Sequence, residues 1–144
     1  MSLASKIKGI EDAIVAILTG ASISGINGIV FESELRYGKI LPPYIRIFCE
    51  ASRVNPNFVG IQEEWFMRIR VMVVASAYGS ADADAARDLA LQASSALMDN
   101  RQLNNTVADM VRLQWDPNYR HEIATVQLTG AAILLEARFL SKET

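Results

Sequence analysis

The sequence predicts an α+β fold: a single, mostly antiparallel sheet with two helices packed on one face, in the order α-β-β-β-α-β-β. Three observations carry this expectation. In two stretches, residues 3–18 and 80–100, apolar residues recur at three- and four-residue steps, the period of a helix with one buried face. Elsewhere they alternate at every second position, most cleanly from Trp65 to Tyr78, the period of a strand. The 144 residues are also the usual size of one domain, and no linker, repeat or low-complexity segment divides residues 1–144.

The first helix is carried by Leu3, Ile7, Ile10, Ile14, Ile17 and Leu18 on one face, with Gly20 expected to end it in the left-handed conformation that glycine tolerates. A Gly- and Ser-rich connector runs from Gly20 to Gly28. Strand signals follow in Ile29–Leu35, and again after Leu41-Pro42-Pro43, where proline fixes its own backbone and restricts the residue before it. There Ile45, Ile47, Cys49 and Ala51 share one face, and Tyr44, Arg46, Phe48 and Glu50 the other.

The Trp65–Tyr78 strand places Trp65, Met67, Ile69, Val71, Val73, Ala75 and Ala77 on an apolar face and Phe66, Arg68, Arg70, Met72, Val74, Ser76 and Tyr78 on a mixed one. At roughly 3.3 Å per residue such a strand spans on the order of 45 Å, against a usual strand of about 5–6 residues. The expectation is that it bends or projects as a hairpin arm, whose unpaired edges invite a partner.

In the second helix, Ser80 to Asn100, Ser80 or Asp82 caps the start and Asp82 and Asp84 suit its positive end. Ala86, Leu89, Ala90, Ala93 and Leu97 form the stripe to be buried. Arg101–Asn105 reads as a polar turn. In the next strand Val107, Val111, Leu113 and Trp115 are set against Ala108, Met110, Arg112 and Gln114, with Asp109 breaking the alternation. Asp116-Pro117-Asn118 marks a turn. The last strand, Ile123 to Leu140, places Ile133, Leu135, Ala137 and Phe139 on one face.

Composition narrows the function. Hydrophobic residues make up 51% and charged residues 21%, an ordinary globular balance. The formal net charge of −2 lacks the basic excess of a protein that grips nucleic acid along its surface. One cysteine, Cys49, allows no intrachain disulfide and fits a reducing compartment. Charged residues interrupt the first apolar stretch, against a signal peptide, and no run is apolar for long enough to span a membrane.

Chemistry is hard to place. The single histidine, His121, lies in the polar run Asn118-Tyr119-Arg120-His121-Glu122 and reads as a surface residue. Cys49 shares an apolar face and reads as a buried, inert thiol. One Cys and one His cannot assemble a zinc site. Glu63 and Glu64 are adjacent, so on a strand they point to opposite faces. Asp82, Asp84 and Asp88 lack the glycine and terminal glutamate of a calcium loop. Ser5-Lys6-Ile7-Lys8 matches Ser-x-x-Lys without its companion motifs, and reads as helix surface. No catalytic residue, cofactor or metal is expected.

Features that fit a protein partner are clearer. The loop from Arg53 to Gln62 holds Val54, Phe58, Val59 and Ile61 among Asn55, Pro56, Asn57 and Gly60; its apolar residues either anchor in a partner pocket or fold back to bury Phe58 against their own sheet. A second loop, Leu35 to Pro43, carries Arg36, Tyr37 and Lys39, which read either as interface residues or as a solvated turn. Arg36, Tyr37, Lys39, Arg53, Asn57, Phe58, Val59 and Ile61 are therefore the interface candidates. Arg46, Arg68, Arg70 and Arg112 sit on the less apolar strand faces. They either line a surface shared between subunits or pair with acids such as Glu32 and Glu50 across strands.

These segments resemble, in order, the tail terminator (tail-completion) family of long-tailed bacteriophages and prophages. An N-terminal helix and a glycine-rich link lead to Leu41-Pro42-Pro43-Tyr44-Ile45-Arg46-Ile47. The long strand Phe66–Ala77 then runs into an alanine-rich helix. Leu103-Asn104-Asn105-Thr106-Val107 follows where the family often has Leu-Gly-Gly-x-Val, and Ala131–Phe139 closes the sheet.

The resemblance implies a structural virion component. It would form a ring, a hexamer in that family, that caps the tail tube, stops elongation and offers a surface for head joining. Its partners would be further copies of itself, the tail tube protein and a head–tail connector protein. DNA would only pass through the lumen, and no membrane is involved. The expected location is the tail–head junction of the virion, after assembly in the bacterial cytoplasm. A ring requires head-to-tail contacts that close, and the hairpin from Ile45 to Tyr78 is the expected arm. The alternatives are a head-side neck or connector protein of the same fold and, in another class, a small oligomeric enzyme or ligand-binding protein with a site between subunits.

Overall fold

In a computed structural model the described residues are 2–23, 25–31, 43–53, 63–76, 83–117, 120–123 and 126–141, with the side chains of 53, 63, 75, 76, 83, 120–123 and 126–129 left aside. Helix α1, Leu3–Gly20, starts at Ser2, whose hydroxyl accepts a hydrogen bond from the Ser5 backbone N–H at 3.2 Å. Ile10, Ala13, Ile14 and Leu18 are buried, and Leu3, Ile7 and Ile17 pack at the margin of the same core. Gly20 does not end the helix in a left-handed turn. It is the last helical residue, the Ala21 N–H still reaches the Ile17 carbonyl, and the left-handed residue is Ser22 at φ 53°.

The strands are β1 (Ile29–Phe31), β2 (Tyr44–Arg53), β3 (Glu63–Ser76), β4 (Asp109–Asp116), β5 (Arg120–Ile123) and β6 (Val126–Ser141), with helix α2 (Ala83–Met98) between β3 and β4. The expected order of elements is present, with β5 as a short additional strand ahead of β6. The sheet runs β1-β2-β3-β6-β4, and β5 also lies against β6. All pairings are antiparallel except β1 with β2, where Ile29 stands beside Ile45 in parallel register. The strands are therefore not in simple sequential order, because β6 inserts between β3 and β4. Its run Ala131-Ala132-Ile133-Leu134-Leu135 is apolar throughout, with Ala131, Ala132, Ile133 and Leu135 buried.

β3 is not a projecting arm. Residues 65–74 pair with β2 on one side and residues 63–76 with β6 on the other. Its 14 residues are matched by the 16 of β6. The excess length belongs to β6, whose residues Val126, Gln127 and Leu128 pair with β5 and with no other described strand.

Both helices cover the same face. Ile10, Ile14 and Leu18 of α1 and Ala86, Ala90, Ala93 and Leu97 of α2 share one core with Ile45, Ile47, Met67, Ile69, Val71, Ile133, Leu135 and Phe139. Each fully buried Ile, Leu or Phe contributes about 1.5–3 kcal/mol of transfer free energy. The α2 stripe is mostly alanine, so the helix axis can approach the sheet closely. Among the described residues no helix is long and apolar enough to cross a membrane.

Between α2 and β4 the chain makes an unusual turn. Leu103, Asn104 and Asn105 all have positive φ, at 46°, 57° and 65°. Left-handed backbone costs roughly 1–2 kcal/mol per non-glycine residue. Local bonds offset that cost: Asn100 Nδ2 donates to Asn104 Oδ1 at 2.7 Å, the Asn104 N–H donates to Asn100 Oδ1 at 2.9 Å, and Thr106 Oγ1 donates to the Leu103 carbonyl at 2.6 Å. Leu103 itself is fully buried, which ties the turn to the core.

Candidate interaction surface

Alternation along β2, β3, β6 and β4 leaves one sheet face turned away from the helices. The register lays its residues out in rows across β2, β3, β6 and β4. Phe48, Arg70, Leu134 and Gln114 form one row; Glu50, Arg68, Glu136 and Val111 the next; Ser52, Phe66, Arg138 and Asp109 the third. Glu64 and Leu140 continue it on β3 and β6.

The charges on this face are largely answered within it. Arg68 Nε lies 3.6 Å from Glu136 Oε2, and Arg138 Nε lies 2.8 Å from Glu64 Oε1. The Arg138 guanidinium also stands 5.4 Å from the centre of the Phe66 ring. Exposed pairs of this kind contribute about 0–1 kcal/mol each, so they organise the surface more than they stabilise it. Two shallow depressions flank them. One is lined by Phe66, Val111, Glu136 and Arg138, the other by Arg70, Gln114, Asp116 and Leu134.

Strand β4 corrects the sequence reading. Val111 and Leu113 were expected to face inward, yet they are 43% and 47% exposed, while Met110 is 1% exposed and sits in the core. Met110 stands beside Ala137 on the helix side, and a bulge between Arg112 and Gln114 then shifts the alternation, so that Trp115 returns to the core margin. The break at Asp109 was the signal: the inward set begins one residue later than Val107 implied. For the same reason Arg112 leaves the open face. Its Nη1 lies 3.4 Å from the buried Ser94 hydroxyl of α2, so only Arg46, Arg68 and Arg70 of the four expected arginines share this surface.

Arg36, Tyr37 and Lys39 lie outside the described residues, as do Asn57, Phe58, Val59 and Ile61. The backbone of Arg53 closes β2 opposite Trp65. Among the described residues, the exposed large apolar side chains that sequence reasoning did not single out as interface candidates are Phe48, Leu91, Val111, Leu113 and Leu140.

Groups considered for chemistry have structural partners. Lys8 of the Ser-x-x-Lys match lies 3.1 Å from Asp12 one helical turn on. Asp84 holds Arg87 at 2.9 Å, and Asp88 accepts from Gln92 at 2.8 Å. Glu64 is engaged by Arg138. Burial, with Glu11 nearby as a lesser cause, pushes the Cys49 thiol up to about 12, which leaves it protonated and a poor nucleophile. The backbone of His121 runs in β5 opposite Leu128. Among the described residues no three His, Cys, Asp or Glu side chains converge to hold a metal ion. What the open face offers is a broad, shallow surface of aromatic, aliphatic and arginine side chains, the composition enriched where proteins meet. No protein-family model matches the chain, and no curated protein matches it.

Proposed function

We propose that this protein is a structural assembly subunit of a tailed phage or prophage, a tail terminator that caps the tail tube as a ring and presents a head-joining surface. The observation that supports this most is the conjunction of element order with the turn at Leu103–Asn105. The resembling family often carries glycines where Asn104 and Asn105 stand. Here those positions adopt φ 57° and 65°, the backbone that glycine adopts most readily and asparagine next. The departure in sequence is therefore matched in conformation. A broad face rich in Arg and exposed apolar side chains is also the kind of surface that a ring subunit needs.

Light scattering across a concentration series, followed by imaging of large species and co-sedimentation with tail tubes, tests the proposal. The expected result is a closed ring with a central hole that binds tube ends. A stable dimer or trimer with a pocket at its subunit boundary, and no affinity for tubes, would overturn it. Binding to a portal complex in place of the tube would replace it with a head-side neck protein. Phe58→Asp is expected to abolish capping of tubes; capping at the wild-type level would remove that loop from the contact.

A further inference from the structure

Three arginines bridge strand β4 to helix α2 or to the turn that follows it. From that turn, Arg101 Nε donates to the Met110 carbonyl at 3.3 Å, and its Nη2 lies 3.1 Å from Asp109 Oδ2. From β4 itself, Arg112 Nη1 lies 3.4 Å from the Ser94 hydroxyl of α2. From near the start of α2, Arg87 Nε donates to the Pro117 carbonyl, just past the end of β4, at 3.0 Å, while Asp84 holds its Nη1 at 2.9 Å.

Among the described strands β4 is the last of the sheet on its side, and its four consecutive residues Val111 to Gln114 are exposed, whichever face they belong to. Such a strand offers its backbone groups to a further strand. In an antiparallel ladder every second residue turns its N–H and C=O away from the neighbouring strand. A side chain from outside the sheet, Arg101, reaches the Met110 carbonyl, which marks Met110 and then Arg112 as the outward residues. The bulge between Arg112 and Gln114 resets the alternation. At the far end Pro117 has no N–H to offer, and its carbonyl is the group that Arg87 takes.

The edge is therefore occupied at both ends and bent between them. A guanidinium has donors only, so it cannot pass the ladder on. A strand arriving here would have to displace each arginine from a carbonyl and from a carboxylate together. The ion pairs with Asp84 and Asp109 are exposed and contribute about 0–1 kcal/mol each. Their use is to aim the guanidinium groups.

We propose that Arg87 and Arg101 form a latch that keeps the β4 edge shut to strand addition, and that opening the latch turns this edge into a pairing site for β4 of a second copy. Every copy carries the same edge, so the pairing is isologous, with two β4 strands antiparallel about a two-fold axis. The inference goes beyond the proposed ring and does not depend on it: it concerns a contact that the wild-type chain prevents.

The test compares the full chain carrying Arg87→Ala and Arg101→Ala with the wild type, by light scattering over a concentration series and by hydrogen exchange of the β4 amides. The variant is expected to self-associate on the order of tenfold more tightly or better. In the associated species the Met110 and Arg112 amides should exchange slower than in the wild type at the same concentration, by on the order of tenfold. Where the double variant fails to fold, Arg101→Ala alone frees the Met110 carbonyl and is read in the same way. Association at the wild-type level would overturn the latch. So would association without added protection at Met110 and Arg112, or faster exchange along β4 with a lowered unfolding midpoint, the mark of arginines that merely brace the strand.

Discussion

Single residues set several quantities that can be measured directly. Cys49 is the simplest. Its thiol is held near 12 against an ordinary 9.0, with burial as the main cause. Below about pH 9 both folded and unfolded chains carry the neutral thiol, and its contribution is fully present. Between 9 and 12 the unfolded chain ionises first, so that contribution falls as pH rises. Alkylation at pH 8 should be slow in the native protein and fast in urea. The denaturation midpoint should fall over this window more steeply than in Cys49→Ala. Trp65 offers a contrast. It is buried, yet Nε1 has no acceptor among the described residues. Trp65→Phe removes that orphan donor and should shift stability by under about 1 kcal/mol. Trp65→Ala, by opening a cavity, should cost about 3–5 kcal/mol. At the left-handed turn, Asn104→Ala loses both conformational tolerance and the bond from Asn100, and should cost about 1–2 kcal/mol. Asn105→Gly should be neutral or stabilising by up to about 1 kcal/mol. Chemical denaturation of the variants measures each value.

Elements show how far sequence pattern reaches. The two helices were readable because their stripes hold over four turns, and every residue of the α2 stripe is buried as expected. β3 was readable because seven apolar residues alternate without a break. β4 was not, because a strand of eight residues with an acidic start and a bulge carries two competing alternations. Only its partner β6 decides between them. The parity can be tested in one experiment: Met110→Ala should cost about 2–5 kcal/mol, whereas Val111→Ala should change stability by under about 0.5 kcal/mol. Reversed magnitudes would put the wrong face inward. The alanines of α2 make a second test of element packing. Ala90→Leu or Ala93→Leu forces side-chain volume between helix and sheet, and should cost about 1–3 kcal/mol in thermal or denaturant unfolding.

At the scale of the whole molecule, the α+β class and the placement of both helices on one face could be read from periodicity. The strand order could not, since period says which residues share a face and nothing of which strands are neighbours. The candidate surface was partly readable: Arg46, Arg68 and Arg70 fall where alternation placed them, while Val111 and Leu113 depended on a register that only the sheet reveals. That sheet also carries a consequence for synthesis. β3 is completed on one side by β2 soon after it is made, but its other side waits for β6, whose Ser141 pairs with Glu63. Ser141 lies 78 positions after Glu63, a stretch that takes on the order of 4–16 s to translate at about 5–20 residues per second. Throughout that interval a long apolar edge has no mate on its own chain. Expression at lower temperature, or with a chaperone that shields exposed strands, should therefore raise the soluble yield more than any stabilising substitution in the finished core.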